Sequence, residues 1–321
     1  MKCYFAPLEG VTGYVFRNAH RDFFDPADKY FSPFIVPKPN TGKRFGAKEM
    51  SDILPEHNRN LYLVPQIMTK HAEDFIHTAK ALEELGYREV NLNLGCPSRT
   101  VVSKGRGSGF LAKPEELESF LDEIFSALSM KISIKTRIGK DSPREFERLI
   151  SIYNKYPLEE LIIHPRVQKD YYNGTPDIEC FQMAWNFSKN PVCYNGDIFC
   201  VEDLRKIKSI CPKLDRVMMG RGLLANPGLI GEIHGKGQMD PETFHAFHDR
   251  LMDDYQAVFY GDKNVLFKMK EFWYYAIWMF EDSEKFGKRI RKMQKLNGYR
   301  DVVNELFESR KMREHAGFRL E

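Results

Sequence analysis

Along the first 222 residues, short runs rich in β-branched and aromatic residues alternate with longer segments whose apolar positions return near every 3.6 residues. The short runs are CYFAPLEG (3–10), KYFSPFIVP (29–37), LYLVPQIM (61–68), EVNLNLGC (89–96), KISIKTRIG (131–139), ELIIHPRV (160–167), PVCYNGDI (191–198) and RVMMGRG (216–222). Helices are expected between them over 72–85, 114–128, 143–156 and 201–211; in the second, Leu121, Ile124, Phe125 and Leu128 share one face. Eight strands alternating with helices predict a parallel sheet closed as a (β/α)8 TIM barrel. An open dinucleotide-binding sheet would need GxGxxG directly after an early strand. Here the glycines of KGRGSG follow the fourth run and miss that spacing.

From about Gly235 the pattern changes. GKGQMDP reads as a linker, and beyond it only helical patterning is found, over 244–259, 268–280, 285–297 and 299–311. The chain is therefore expected to divide into a catalytic barrel, 1–235, and a small all-helical C-terminal domain, 236–321.

Of the 321 residues, 42% are hydrophobic and 29% charged, without low-complexity tracts, which is the composition of an ordinary folded protein. The formal charge of +3 neither demands nor excludes a polyanionic partner. MKCYFAPLEG lacks the apolar stretch of a signal peptide, and the longest apolar run, 272–280, is too short for a membrane span. A soluble, cytoplasmic protein is expected, with no membrane partner. The six cysteines, Cys3, Cys96, Cys180, Cys193, Cys200 and Cys211, form no C-x-x-C pair, so no metal is expected and most should be core thiols.

Active sites of such barrels lie at the C-terminal ends of the strands. Read in order, the runs end in Pro7 and Glu9, Gln66, Asn93 with Cys96, Lys135 with Arg137, His164 with Arg166, Asn195 with Asp197, and Arg221. The last two strands run into NGDI and GRG, where loops of this fold commonly bind phosphate. Glycine permits close backbone approach there, and Arg221 adds a charge-assisted donor. Lys135, expected to be partly buried, needs an anion: a flavin with negative charge near N1 and O2 would serve, with Gln66 at the ring edge. The alternative is a carboxylate partner, Glu9 or Asp197.

APLEGVTGYVFR, the QI at Gln66, NLNLGCPS, KTRIG, IIHPR, NGDI and MGRG follow one another in the order of the signatures of the tRNA-dihydrouridine synthase family, which the chain resembles over essentially its whole length. The resemblance implies an FMN-binding barrel that reduces the 5,6 double bond of tRNA uridines with NADPH or NADH as reductant. It assigns Pro7, Leu8, Glu9, Gln66, Lys135, His164, Asn195, Gly196, Asp197, Gly220 and Arg221 to FMN, Cys96 to catalysis and Asn93 to holding the uracil. Hydride from reduced FMN to carbon 6 calls for a proton at carbon 5, and a thiol with a pKa of about 8.5 is protonated at neutral pH and suits that role. Gly105, Gly107 and Gly109 are expected to make the Cys96 loop flexible enough to close over a base. Two positions depart from the family pattern. Leu8 replaces the commoner Met, and HPR at 164–166 replaces HGR, where Pro165 removes an N–H and restricts His164 to extended geometry.

A uridine inside folded tRNA must be turned out to be reached, which requires a second, basic surface. Read as a helix, KFGKRIRKMQK puts Lys288, Arg291, Lys292 and Lys295 at i, i+3, i+4 and i+7. Arg99, Lys104, Arg106 and Arg166 are further RNA-binding candidates around the barrel rim. The competing readings are a small-molecule FMN barrel of dihydroorotate-dehydrogenase or ene-reductase type, which has no use for a basic C-terminal helix, and a noncatalytic RNA-binding homologue, which has no use for Cys96, Lys135 and His164.

Overall fold

The computed structural model describes residues 1–38, 44–316 and 318. Strands β1 (Lys2–Phe5), β2 (Lys29–Phe31), β3 (Leu63–Val64), β4 (Gln66–Ile67), β5 (Glu89–Leu94), β6 (Lys131–Arg137), β7 (Leu161–His164), β8 (Val192–Asn195) and β9 (Arg216–Met219) form one all-parallel sheet in the order β3-β2-β1-β9-β8-β7-β6-β5-β4. Pro65, which has no N–H for a ladder, divides β3 from β4, so the two are halves of one strand. β3 pairs with β2 and β4 with β5, and an Ile35–Ile67 bridge helps to close the ring. The nine segments are thus the eight strands of a TIM barrel, one at each expected run.

The helices are α1 (Tyr14–Phe23), α2 (Ala47–Ile53), α3 (Ala72–Glu84), α4 (Arg99–Val102), α5 (Pro114–Ala127), α6 (Glu145–Tyr153), α7 (Ile178–Phe187), α8 (Val201–Ile210), α9 (Arg221–Ala225), α10 (Leu229–Ile233), α11 (Pro241–Val258), α12 (Asp262–Ala276), α13 (Glu284–Lys292) and α14 (Leu296–Ser309). The four expected barrel helices are present. α6 is shorter than the expected 143–156, because the Glu145 carboxylate accepts from the N–H groups of Lys140, Asp141 and Ser142 and holds the segment before it as a turn.

The chain packs as two compact units. The first comprises Met1–Pro7, Lys29–Gly196 and Ile207–Met218. Its barrel interior has two different sides. Tyr4, Ala6, Phe31, Val64, Ile162, Cys193 and Met218 form an apolar cluster from β1–β3 and β7–β9. Along β5 and β6, polar residues alternate with apolar ones: Glu89, Asn91 and Asn93 against Val90, Leu92 and Leu94, all buried.

The second unit comprises Leu8–Asp28, Asp197–Lys206 and the chain from Met219 onward. α11 begins at an Asp240 cap, whose side chain accepts from the N–H of Thr243, with Pro241 in its first turn. Its buried stripe of Phe244, Phe247, His248, Leu251, Met252 and Tyr255 returns at helical spacing. Phe247 meets Phe16 of α1 edge-on at 5.7 Å, and Phe244 packs with Phe272, Trp273, Phe280 and Phe307. At about 1.5–3 kcal/mol per fully buried large apolar side chain, this aromatic stripe is a main source of the unit's cohesion.

The expected helix over 285–297 is two helices. α13 ends at Lys292, Met293 is extended (φ −62, ψ 139) and Lys295 precedes α14. The break is held from outside: Lys270 Nζ donates to the Met293 carbonyl (2.6 Å), and the Leu296 N–H donates to Asp262 (3.2 Å). Lys295 therefore does not continue the helical face of Lys288, Arg291 and Lys292.

Candidate active site

The parallel register of β5 and β6 sets Asn91 beside Ser133 and Asn93 beside Lys135. A chain of side chains runs through this polar half of the barrel. The N–H groups of Gly95 and Cys96 donate to Asn93 Oδ1 (3.0 and 2.9 Å). Asn93 Nδ2 donates to Gln66 Oε1 (2.6 Å), Gln66 Nε2 to Asn91 Oδ1 (2.8 Å), Asn91 Nδ2 to Ser133 Oγ (3.0 Å), and Ser133 to Glu89 (3.0 Å). Every donor points away from Cys96, towards one carboxylate. Such a chain polarises its members in one sense and fixes each amide orientation. Gln66 and Asn93, expected to face cofactor and uracil, thus each form part of this chain, and each retains a second amide hydrogen.

Cys96 lies in the turn after β5. The N–H and hydroxyl of Ser108 donate to its carbonyl (3.1 and 2.8 Å). A Cβ at Gly107 would stand 2.8 Å from the same oxygen, and one at Gly109 2.8 Å from the Val102 carbonyl. These glycines permit close packing, with Gly107 at φ +54, and the segment Gly107–Ala112 is a two-turn 3-10 helix buried through Leu111. The expected flexible loop is instead a braced turn that carries the thiol.

Lys135 is half-buried, and its ammonium forms no hydrogen bond or ion pair among the described residues. Burial first, and the Arg137 charge second, lower its pKa to about 8. Asp197, one of the two carboxylates considered for Lys135, pairs with Arg221 at 2.6 Å.

His164 Nε2 lies 3.0 Å from Arg166 NH1. A guanidinium only donates, so Nε2 accepts and the ring proton resides on Nδ1. Arg166 is 1% exposed and also donates to the carbonyls of Asn173 and Gly174, which removes it from a surface that could meet RNA phosphate. Arg137 is similarly engaged. It donates to Gly95 O (3.0 Å), on the Cys96 turn, and to the carbonyls of Val167 and Tyr171, with Tyr172 under its guanidinium at 5.5 Å. Together the two arginines fasten the segment after β7 to the strands. Arg137, Asn91 and Ser133 are functional candidates that rim reading left unassigned; the i, i+2, i+4 polarity of EVNLN and KISIK is the signal that marks the last two.

At the end of β8, Asn195 donates to the Met218 carbonyl (2.8 Å), and the Tyr194 hydroxyl stands where a Cβ of Gly196 would be. Pro7 follows β1 and is half-buried. Within the second unit, Leu8 donates its N–H to Thr12 Oγ1 (2.8 Å) and Glu9 is exposed. Gly220 precedes α9, and Arg221, paired with Asp197, lies 5.7 Å over Phe199. Of the RNA candidates, Arg99, Lys104, Lys288, Arg291, Lys292 and Lys295 are exposed, and Arg106 is half-buried. His245, His248 and Asp249 form the one group of clustered metal-capable side chains among the described residues; His248 there contacts Asp249 (2.9 Å) and Tyr299 (2.6 Å). No helix among the described residues is long and apolar enough to cross a membrane.

A parallel (β/α)8 barrel with a thiol, a half-buried amine and a line of amides at its strand ends has the general form of a barrel enzyme. The dihydrouridine synthase family model matches residues 4–314, and the chain belongs to that family. It is 24% identical over 314 residues to a probable tRNA-dihydrouridine synthase of Rickettsia bellii, covering 95% of this chain and 94% of that one, and 25% identical over 310 residues to one of Helicobacter pylori, covering 95% and 91%. Among solved structures, morphinone reductase superposes with a TM-score of 0.53 at 14% identity, over 76% of this chain and 88% of that one, a likeness of fold.

Proposed function

We propose that this protein is an FMN-dependent tRNA-dihydrouridine synthase, which reduces the 5,6 double bond of tRNA uridines with NADPH or NADH and acts in the cytoplasm. The observation that carries the reading is Lys135: a half-buried ammonium with no partner among the described residues, beside Asn93 in the sheet register, in a chain of this family. An anionic ring edge would supply the missing charge, which is how the donor set fits FMN.

Bound FMN supplies the hydride. Pro7, Leu8, Glu9, Gln66, Lys135, His164, Asn195, Gly196, Asp197, Gly220 and Arg221 are the residues proposed to hold it. Lys135 offers its ammonium to the ring, the second amide hydrogen of Gln66 is a further donor, and His164 is a further proposed contact. Arg221, with Gly220, serves the phosphate. Cys96 Sγ–H delivers the proton to carbon 5 of uracil, from a backbone turn already braced by Asn93, Ser108 and Arg137. Asn93 fixes that turn and presents its free amide hydrogen to the base. The segment 236–321 is proposed to bind tRNA through Lys288, Arg291, Lys292 and Lys295, with Arg99, Lys104 and Arg106 on the rim; Arg166 acts by positioning His164.

The test separates the two half-reactions. Purified protein should be yellow and release FMN on heating. Cys96→Ala should retain nicotinamide-dependent flavin reduction and lose tRNA dihydrouridine formation by about 100-fold or more. A protein that takes up no FMN, or a Cys96→Ala variant that forms dihydrouridine at the parental rate, would overturn the assignment.

A further inference from the structure

A groove between α12 and α13, within the second unit, encloses a cavity of about 210 Å3. Its walls join two chemistries. Trp273, Tyr274 and Trp278 are among its lining residues, and Phe318 packs on Tyr274 with ring centroids 6.2 Å apart. Tyr274 is 54% exposed, so part of its ring faces solvent. The same lining includes Lys288 and Arg291 from α13, Lys270 from α12, whose Nζ donates to the Met293 carbonyl, and one carboxylate, Glu284.

Gly287 keeps the groove open. It lies inside α13, where glycine is a poor helix residue, and it borders the cavity. A Cβ there would meet only Ile277, at 3.4 Å, an ordinary contact, so a side chain at this position is compatible with the fold and would enter the groove.

We propose that this groove receives an unstacked nucleobase of the RNA substrate, stacked against its aromatic wall, while Lys288 and Arg291 meet the adjoining phosphates. The inference rests on the tRNA-modifying function proposed above and adds to it a base-binding subsite in the helical region. Its grounds are complementarity of charge and shape. Three cations to one carboxylate favour a polyanion, aromatic faces favour a planar ring, and the volume suits one base better than a duplex segment. Base–aromatic stacking tolerates any sequence, whereas phosphate contacts carry the salt dependence. The two contributions can therefore be measured apart.

The test uses full-length protein and an unmodified tRNA transcript, with filter binding over a salt series. Gly287→Leu fills the groove and changes no charge; Tyr274→Ser removes an exposed ring and leaves the core intact. Both should bind tRNA about tenfold more weakly with the log–log salt slope of the parent, and with FMN content and melting temperature not lowered. Lys288→Gln with Arg291→Gln should instead reduce the magnitude of the slope by about one to two units. If the parent binds and both groove variants match its affinity, the base subsite is wrong and the tRNA reading stands. A parent that binds no tRNA at any salt overturns that reading and the subsite with it.

Discussion

Two lysines inside the same barrel show opposite electrostatics. Lys29, at the start of β2, lies 2.8 Å from Glu89 and 3.4 Å from Glu160. Tyr62 donates to Glu89 (3.1 Å), Arg216 to Glu160 (3.0 Å), and the Tyr4 hydroxyl also to Glu160. Burial pulls the Lys29 pKa down, but Glu89, Glu160 and Glu159 together hold it above the ordinary lysine value. At Glu89, burial outweighs the attraction of Lys29, and Glu160 adds to it, so that pKa is raised as well. Lys135, in β6, has burial without a carboxylate, and its pKa falls. The chain of amides from Cys96 to Glu89 links the two regions. At the strand starts the charges are closed among themselves, as suits the stability-bearing face of a barrel; at the strand ends one ammonium has no carboxylate partner among the described residues.

The sharpest way to break this contrast is to remove each ammonium in turn. Lys29→Met leaves two buried carboxylates short of a cation and should cost about 3–5 kcal/mol, read as a large fall in melting temperature and urea midpoint. Lys135→Met should leave the flavin-free protein as stable as the parent or more so, because an uncompensated buried charge is removed. Its dihydrouridine formation should nonetheless fall about 100-fold, the usual scale for losing one preorganised electrostatic donor. Equal destabilisation by both substitutions would show that Lys135 is a structural ion like Lys29.

A smaller effect concerns the link between the two regions. Ser133→Ala removes the acceptor of Asn91 and a donor to Glu89, and should cost about 1–3 kcal/mol in urea unfolding, with Ser133→Thr restoring most of it. A variant as stable as the parent would mean that Asn91 and Glu89 find other partners.

The smallest effect is in pH dependence, where the two lysines work in opposite directions. For Lys135 the folded pKa, about 8, is below the unfolded value of 10.5. The unfolded chain then binds more protons across that window, so this site adds stability as pH rises from about 8 towards 10.5. For Lys29 the folded value is raised, so its contribution is complete below the unfolded pKa and is lost as pH rises through the folded one. Unfolding at pH 7.5 and 10 should show the parent gaining on Lys135→Met and keeping its advantage over Lys29→Met, which is lost only above the unfolded lysine pKa. FMN affinity should weaken above about pH 8 in the parent, with no such loss in Lys135→Met, because an anion held at Lys135 favours its protonated form. Parallel pH profiles for all three proteins would remove the distinction.

The eight strands and the barrel helices were legible because they are local. Alternation with period 2, apolar runs and 3.6 periodicity belong to each segment irrespective of its neighbours. Strand direction then assigned Gln66, Asn93, Cys96, Lys135 and His164 to one rim, since every strand of a parallel barrel ends on the same side. The family signatures in NLNLGCPS and NGDI added a chemistry that the residues alone left open.

What tertiary structure decided were the outcomes of long-range competition for partners. Whether Lys135 finds a carboxylate depends on residues distant from it in sequence, and one of the two acids proposed for it, Asp197, pairs with Arg221. Arg166 reads in sequence as a rim cation, yet carbonyls seven and eight residues later draw it inside. The basic run has no Pro or Gly between Lys288 and Asn297 to stop a helix, and it stops because Lys270 and Asp262 bind the backbone at Met293 and Leu296. Gly107 reads as a hinge but serves as a close contact with the Cys96 carbonyl. The local pattern of the chain determined the secondary structure and the kinds of side chain on the rim. Packing alone determined which polar atoms were left without a protein partner, because a hydrogen bond or ion pair depends on atoms brought within about 3 Å from distant parts of the sequence.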